Sequence, residues 1–573
     1  MVYSIPTPLS PVILSFHANG RVARIALMIN TKSFTSKRMD PVWIFALCAI
    51  CFCWVLGNAP LAGTEAFRAL TAHQMLDSGD WVLPRLYGQL YLRKPPMQYW
   101  ILATAEQVTG EANEWVWRLP SALGAALLGA FLCHTAQRWW GRREGLATGL
   151  AYLSIAALWS QFRSADIDAL NTVATIITVV ALLDIYRVDG GRKVVWMLGG
   201  GLAFGVSLLL KGPASLPLVI GAFFAPPVLN GNFRKLRSAH SWGLLAIGCS
   251  LFGLYLLLAY NAIGTLDNPS AASGLREAGD NMLLSSWSNL TEAFLLPLIL
   301  LAYSLPCSLS LPFLLLPSTL KSMDSESLAM LRSIMGTLLL AVVIGIVTGM
   351  QNPRYGYILL PVFALLTGLS AHAILSGKLS NKAVRLANKV ILSSSCLLSI
   401  VSIVIAIMLN SQEVNFPTIF LALLSIGVAF ASILAWRKAS LRLLYISLTA
   451  AIVLLAFSFD YIKNRDRSKR SGQAAGLILA ETVGTNTTVT TGLMLWTHPE
   501  IFHYANVTVN AHNRYVFAKP FDLRQDGWIV FHKREWKEWS QRYPERFSRT
   551  SELPTHVRGT VLTWYNGGHK SKN

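Results

Sequence analysis

Apolar runs of about twenty residues, separated by short polar and often basic joints, recur along most of this chain. A helix of about 20 such residues crosses the hydrocarbon core of a bilayer, which is about 30 Å thick. Thirteen runs are expected to span: about 42–59, 119–137, 145–162, 169–186, 194–210, 214–230, 242–263, 291–316, 332–350, 355–376, 390–410, 416–436 and 441–459. Pro297, Pro306 and Pro312 interrupt the eighth, which is expected to be kinked or split. Charged residues make up 14% of the 573 positions, roughly half the ordinary globular share of about 25%. A cytosolic enzyme and a disordered chain are therefore excluded. The runs are unbroken rather than alternating, which disfavours a β-barrel. The expected class is an α-helical polytopic membrane protein.

Forty-nine Lys and Arg against 29 Asp and Glu give a formal charge of +20. Membrane proteins place such cations in cytoplasmic loops, so no nucleic-acid partner is inferred. Basic joints alternate with cation-poor ones: Arg138/Arg142/Arg143, Arg187/Arg192/Lys193, Arg234/Lys235/Arg237, Lys321, Lys378/Lys382/Arg385/Lys389 and Arg437/Lys438/Arg442. That alternation predicts a cytoplasmic amino terminus and, with an odd number of spans, an extracytoplasmic carboxy terminus. Residues 1–40 are polar and basic and are expected to be disordered. Met28 and Met39 are alternative starts, and no cleavable signal is evident. All seven cysteines lie in apolar runs. The close spacing of Cys48, Cys51 and Cys53 suits a packed helix better than a metal, and no disulfide framework is expected.

Two expected outer segments are long. Residues 60–118 are rich in Trp, Tyr, Arg and Glu, and 64–78 and 96–108 can form short interfacial helices. Residues 264–290 form a polar loop. Residues 461–573 change character, with β-branched alternation such as Thr487-Thr488-Val489-Thr490. They predict a small outer α/β domain, with a helix near 471–483 and strands near 487–492, 506–509, 528–532 and 559–564. His498, Glu500 and His503 are spaced as zinc ligands are, yet His498-Pro499-Glu500 better suits the start of a helix.

The outer joints should carry few cations, but several do. Arg163 precedes span four, Lys211 lies between spans five and six, Arg354 between spans nine and ten, and Arg93-Lys94 in the first loop. Glu65, Asp166 and Asp168 share this side. Each has a plainer reading. Asp168 can cap span four, Lys211 suits a helix C-terminus, Arg354 and Arg163 can anchor at the headgroups, and Glu65 can pair with Arg68 one turn on. Their confinement to one face favours a site for a lipid with an anionic headgroup: cations neutralise phosphate, and a carboxylate removes a proton from an incoming hydroxyl or amine.

The run Gly63-Thr64-Glu65-Ala66-Phe67-Arg68-Ala69-Leu70, with Ser78-Gly79-Asp80-Trp81-Val82, Pro84, Tyr91, Lys94-Pro95-Pro96 and Tyr99-Trp100, resembles the first periplasmic loop of the GT-C membrane glycosyltransferases. Within these it is most similar to the bacterial aminoarabinose transferases of lipid A and the related protein O-mannosyltransferases. The likeness continues through Arg118-Leu119-Pro120-Ser121-Ala122, Asp168, Leu210-Lys211-Gly212-Pro213, Pro353-Arg354-Tyr355 and Leu360-Pro361, across about residues 45–375. Thirteen spans and an outer carboxy-terminal domain fit the lipid A branch.

The resemblance implies transfer of one sugar from a polyprenyl-phosphate carrier to a lipid, glycan or protein, with inversion at the anomeric carbon. It implies a cell inner-membrane enzyme of envelope-glycan modification or protein glycosylation. It makes Glu65 the candidate base, with Asp168 or Asp166 as substitutes. The family usually carries Asp-Glu where this chain carries Thr64-Glu65, and Asp166 is an extra acid. Lys94, Lys211 and Arg354, with Arg93 beside them, form the expected phosphate clamp, and Thr64, Arg68, Tyr355 and Arg163 line the cavity. No metal or other cofactor is required, though Glu65 with Asp168 can hold a divalent cation. Two other activities remain open: an oligosaccharide ligase or polymerase using a diphosphate carrier, and a flippase for charged lipids. A flippase would place its charges at the bilayer midplane on repeated, broken helices.

Overall fold

The computed structural model describes residues 39–87, 89–92, 94–263, 294–348, 353–376, 416–437, 472–484, 487–491, 500–506, 508–511, 527–532, 544–552 and 560–565, with a few isolated positions. Residues 1–38, Arg93, Cys396, His498, the loop 264–290 and most of the runs at 390–410 and 441–459 lie outside them.

The helices in chain order are α1 (Asp40–Cys53), α2 (Thr64–Ser78), α3 (Met97–Thr109), α4 (Glu114–Trp139), α5 (Arg142–Leu153), α6 (Ala156–Phe162), α7 (Ile167–Ile185), α8 (Arg192–Lys211), α9 (Leu216–Leu229) and α10 (Ala239–Ile263). They continue as α11 (Leu296–Tyr303), α12 (Ser310–Leu314), α13 (Pro317–Ser322), α14 (Ser325–Val347), α15 (Leu360–Leu375), α16 (Phe416–Arg437), α17 (Gln473–Val483) and α18 (Glu500–Ala505). Among the described residues, six helical stretches are long and apolar enough to cross a membrane. A seventh is added if Leu296–Tyr303 and Cys307–Leu314, bent by 105°, count as one broken span. That bend is the split expected from the prolines.

Several of the thirteen expected spans take another form. The first is only 14 residues long as α1. The third breaks at Ser154-Ile155 into α5 and α6. The fifth and sixth keep their expected places as α8 and α9, within an apolar stretch, Arg192–Leu229, of 38 residues. At about 1.5 Å per residue this is close to twice the hydrocarbon thickness. The chain turns round within it. Lys211 meets Asp168 at the start of α7, whereas Phe223 O accepts from Tyr186 Oη at the other end of α7, 2.9 Å away. So α8 and α9 run antiparallel, and the turn is Gly212, whose φ of +63° and ψ of −140° favour glycine.

The core gathers α1, α4, α5, α7, α9, α14 and α15 around Phe52, Tyr152, Trp159 and Phe162, whose rings meet mostly edge to face. At the carboxy end of α7 the basic joints collect. Arg138 Nη2 and Trp139 Nε1 donate to buried Asp184, Lys235 Nζ donates to Tyr186 O and Arg187 pairs with Glu326.

The first loop forms both expected helices, α2 and α3, joined by the antiparallel pair β1 (Arg85–Leu86) and β2 (Gln89–Leu90). They are more deeply buried than interfacial helices need be, with Phe67, Leu70, Met75, Tyr99, Leu102 and Trp117 in one cluster.

The carboxy-terminal segment builds a five-stranded sheet ordered β4-β3-β5-β7-β6. β3 is Thr488–Thr491, β4 Thr508–Ala511, β5 Gly527–His532, β6 Phe547–Glu552 and β7 Thr560–Tyr565. β3 pairs in parallel with β4 and β5, and β7 pairs antiparallel with β5 and β6. The expected helix and four strands form within two residues of their expected bounds. β6 was not expected, because its sequence Phe-Ser-Arg-Thr-Ser-Glu has no apolar residue after Phe547 to mark a buried face. Residues 40–573 pack as one compact unit. Tyr504 stitches the segment to the first loop: its hydroxyl donates to Glu114 Oε1 at 2.6 Å and accepts from Leu61 N at 2.8 Å. The phenol of Tyr87 stands edge-on to Phe502.

Candidate active site

Two glycines aim the site's first residues. Gly63 (φ +60°, ψ −136°) precedes α2 in nearly the same conformation as Gly212 after α8. The first turns the chain so that α2 opens with Thr64 and Glu65; the second ends α8 on Lys211. Asp166 caps α7, its side chain accepting from Ile167 N at 2.8 Å. The capping role considered for Asp168 therefore belongs to Asp166, and Asp168 is left in the first helical turn, facing Lys211.

The expected residues converge at the amino end of α7. Thr64 Oγ1 donates to Asp166 Oδ2 at 2.6 Å. Arg354 Nη1 donates to Thr64 Oγ1 at 3.2 Å and lies 3.6 Å from Asp166 Oδ2. Arg68 Nε lies 3.8 Å from Asp166 Oδ1, while its Nη1 donates to the phenols of Tyr99 (2.8 Å) and Tyr91 (3.3 Å). Lys211 Nζ donates to Asp168 Oδ1 and rides over the Tyr355 ring, 4.7 Å from its centre. Lys94 is electrostatically coupled to Arg68, Lys211, Asp168 and Asp166.

The electrostatics are one-sided. Four cations, Arg68, Lys94, Lys211 and Arg354, gather around the two carboxylates of Asp166 and Asp168. Burial, Arg68 and Lys211 together lower the Lys94 ammonium to about 8. Among the described residues Lys94 has no hydrogen-bond or ion-pair partner. A half-buried cation with other cations beside it is a poor arrangement for a free protein and a good one for an arriving anion. Burial would push the Asp166 carboxyl up, but the Arg68 guanidinium, the Thr64 hydroxyl, the Ile167 amide and Arg354 outweigh it and hold it below the ordinary carboxylate range.

Two expected site residues, Glu65 and Arg163, are buried and held by partners outside the cation cluster. Glu65, the first candidate base, is only 1% exposed. Its Oε1 takes Arg118 Nε at 2.7 Å and Nη2 at 2.6 Å, and its Oε2 takes Ser164 Oγ at 3.1 Å. The rest of that guanidinium holds the carbonyls of Leu56, Ala59 and Pro60. The i,i+3 pair with Arg68 considered above does not form, because each side chain has a stronger buried partner. Arg163 is buried, with its Nη2 donating to Trp54 O rather than reaching the cluster.

Arg118, Tyr91, Tyr99 and Gln98 carry roles that the sequence alone did not assign. Gln98 is wholly buried and its Nε2 donates to Ala165 O at 2.8 Å, fixing the loop that presents Asp166. Arg118 had a usable signal: an arginine near the start of a long apolar helix is buried and needs a partner. Of the trio spaced like zinc ligands, His498 lies outside the described residues. Glu500 Oε1 accepts from Gly472 N, and the His503 ring packs against Trp117 and Tyr504.

Residues 93–256 match the family described as dolichyl-phosphate-mannose-protein mannosyltransferase. A Pseudomonas savastanoi pv. phaseolicola undecaprenyl phosphate-α-4-amino-4-deoxy-L-arabinose arabinosyl transferase is 32% identical over 186 residues, 32% of this chain and 34% of that protein. Its Pseudomonas aeruginosa counterpart is 32% identical over 191 residues, again 34% of its length. The matched region thus spans about a third of these relatives. The crystal structure of ArnT from Cupriavidus metallidurans bound to undecaprenyl phosphate superposes with a TM-score of 0.69, at 17% identity, over 91% of this chain and 97% of that one. The fold is the ArnT fold. Its apo form aligns equally well, with a TM-score of 0.68 over 93% of this chain. The similarity to ArnT therefore extends well past the sequence-matched third, through the bundle and the carboxy-terminal segment.

Proposed function

We propose that this chain is a membrane glycosyltransferase that moves a single sugar from a polyprenyl-phosphate donor to a lipid, glycan or protein acceptor, with inversion. One observation carries the reading: Thr64, Arg68, Lys94, Asp166, Asp168, Lys211 and Arg354, from separate segments, meet at one end of the helix bundle with cations in excess. The arabinosyl transferases that it resembles act from undecaprenyl phosphate-α-4-amino-4-deoxy-L-arabinose, so that donor, with lipid A as acceptor, is the first pair to test.

Cleavage of the sugar–phosphate bond builds negative charge on the departing polyprenyl phosphate. Lys94, Lys211 and Arg354 stabilise that charge more as it grows, which lowers the barrier rather than merely tightening binding. With so many cations at hand the reaction requires no metal. Glu65 and Arg118 hold the amino end of α2 in place and so act as positioning residues. The basic joints at the far end of α7 support a cytoplasmic location for that end. The site then faces the outer side of the inner membrane, together with the carboxy-terminal segment as an outer α/β domain of residues 461–573, following a transmembrane unit of 41–460.

Purified protein in liposomes, given radiolabelled donor and lipid A, is expected to transfer label, and Lys94→Ala is expected to lose on the order of 100-fold in rate. Equal transfer by both proteins would defeat the site assignment. Donor crossing the bilayer without transfer would establish a flippase instead.

A further inference from the structure

We propose that Asp166, held by the hydroxyl of Thr64, is the carboxylate that takes the acceptor's proton, so that the reacting acid of this chain comes from the loop before α7 and not from the first outer loop. This assignment rests on the sugar-transfer reading and names which group of that site moves the proton.

Three carboxylates are near enough to compete. Glu65 has both oxygens engaged, and protonating it would leave the buried Arg118 without its counter-charge. Asp168 is bound to Lys211, a clamp cation only 10% exposed, whereas Arg354, the clamp cation near Asp166, is open to solvent. Asp166 differs in access. Its Oδ1 is fixed by the Ile167 amide. Its Oδ2 is touched by Thr64, an exposed residue, and approached by Arg354, whose side chain is 47% exposed. The Oδ2 edge is therefore the open side of the cluster, where an acceptor can arrive.

The resemblance set out above implies an aspartate at position 64, where this chain has threonine. Here the Thr64 oxygen lies 2.6 Å from a carboxylate oxygen of Asp166. The acid absent from the backbone at 64 is thus present in space, supplied from a hundred residues away. Arg354 gives the arrangement a sequence of events. While it lies on Oδ2 it shields the carboxylate. A donor phosphate that draws Arg354 away uncovers this oxygen only when donor is present.

In the step itself the acceptor hydroxyl gives its proton to Asp166 Oδ2 as its oxygen bonds to the anomeric carbon. The bond from that carbon to the phosphate oxygen breaks, and the electron pair stays on the polyprenyl phosphate, whose added negative charge faces Lys94 and Lys211. The proton then passes from Asp166 to water.

A carboxylate exchange tests this in liposomes with undecaprenyl phosphate-α-4-amino-4-deoxy-L-arabinose and lipid A. Asp166→Asn is expected to lower kcat by roughly 10²- to 10⁴-fold, the usual worth of a general base, with little change in donor KM. Adding Thr64→Asp to Asp166→Asn is expected to return most of the loss, since the carboxylate reappears in the same place. Thr64→Val keeps the acid but removes its holder, so the acidic limb of the kcat–pH profile moves to higher pH. An Asp166→Asn protein as fast as wild type, or an unmoved pH profile in Thr64→Val, overturns the assignment alone. So does a double variant that binds undecaprenyl phosphate normally yet stays as slow as Asp166→Asn. A wild type that transfers no sugar overturns the functional reading and this assignment together.

Discussion

Arg118 Nη2 stands 2.6 Å from Glu65 Oε1, across 53 residues of chain, with neither side chain more than 2% exposed. Paired in this way the two charges satisfy each other, but either one alone would be a bare charge in a dry site. Removing one partner of such a pair costs about 3–5 kcal/mol. Arg118→Met is therefore expected to melt well below wild type in detergent and to lose activity through disorder of α2. Glu65→Gln, which still offers an oxygen to the guanidinium, is expected to be milder. A wild-type melting temperature for Arg118→Met would show the pair to be dispensable.

Lys94 links binding to pH. Its ammonium is lowered from 10.5 to about 8 by burial, Arg68 and Lys211. Between those two values the folded chain holds fewer protons than the unfolded one, so stability rises with pH across that window. A bound phosphate favours the charged form. Affinity for undecaprenyl phosphate is thus expected to fall as pH rises through about 8. In Lys94→Arg, which stays charged, this fall should flatten. Fluorescence titrations from roughly pH 7 to pH 9 measure it, and identical pH profiles for the two proteins would refute it.

The sequence made the membrane class, the first-loop helices and most of the carboxy-terminal strands readable, because each follows from a local period or a local composition. Pairing was not readable. Glu65, Arg68, Asp166 and Asp168 were all visible as charges near one boundary, yet which cation each would meet depends on how α2, α4, α7 and α8 pack. Nothing local to Glu65 marks Arg118, 53 residues along the chain, as its partner. Hydropathy marked the runs but not the breaks inside them. Ser154-Ile155 breaks one run, and α1 is too short to fill another.

His73 sits where the first loop meets the carboxy-terminal segment. Its Nδ1 bonds Glu106 Oε1 at 2.5 Å, and its Nε2 lies 3.6 Å from Asp77 Oδ2. Glu106 also accepts from Trp117 Nε1, and His503 packs on that indole. The hydrogen bond to Glu106 raises the His73 imidazolium above 6.5 despite its burial. A raised histidine contributes stability that is complete below 6.5 and is lost as pH rises through its folded value. Burial and His73 lower His503, which acts in the opposite sense toward acid. Hydrogen-exchange protection in α18, corrected for the intrinsic base-catalysed rate, is therefore expected to fall as pH rises above neutrality in His503→Gln. It should stay level when His73→Gln is added. A pH-independent protection factor in His503→Gln would contradict this.

Gly63 and Gly212 offer the most direct test of how the site is held. Both have φ near +60° and ψ near −140°, a region that a β-carbon makes costly, and neither has an atom within 4 Å of where that carbon would go. Substitution there introduces backbone strain without a side-chain clash. The strain amounts to about 1–3 kcal/mol, and the chain can relieve it only by rotating Thr64 away from Asp166, or Lys211 away from Asp168. Gly212→Ala should therefore weaken undecaprenyl phosphate binding, because Lys211 belongs to the clamp. Gly63→Ala should instead lower kcat with binding nearly intact, because Thr64 holds Asp166. If both variants lost stability alone, with binding and turnover unchanged per folded molecule, these turns would be scaffolding and not the means by which the site is aimed.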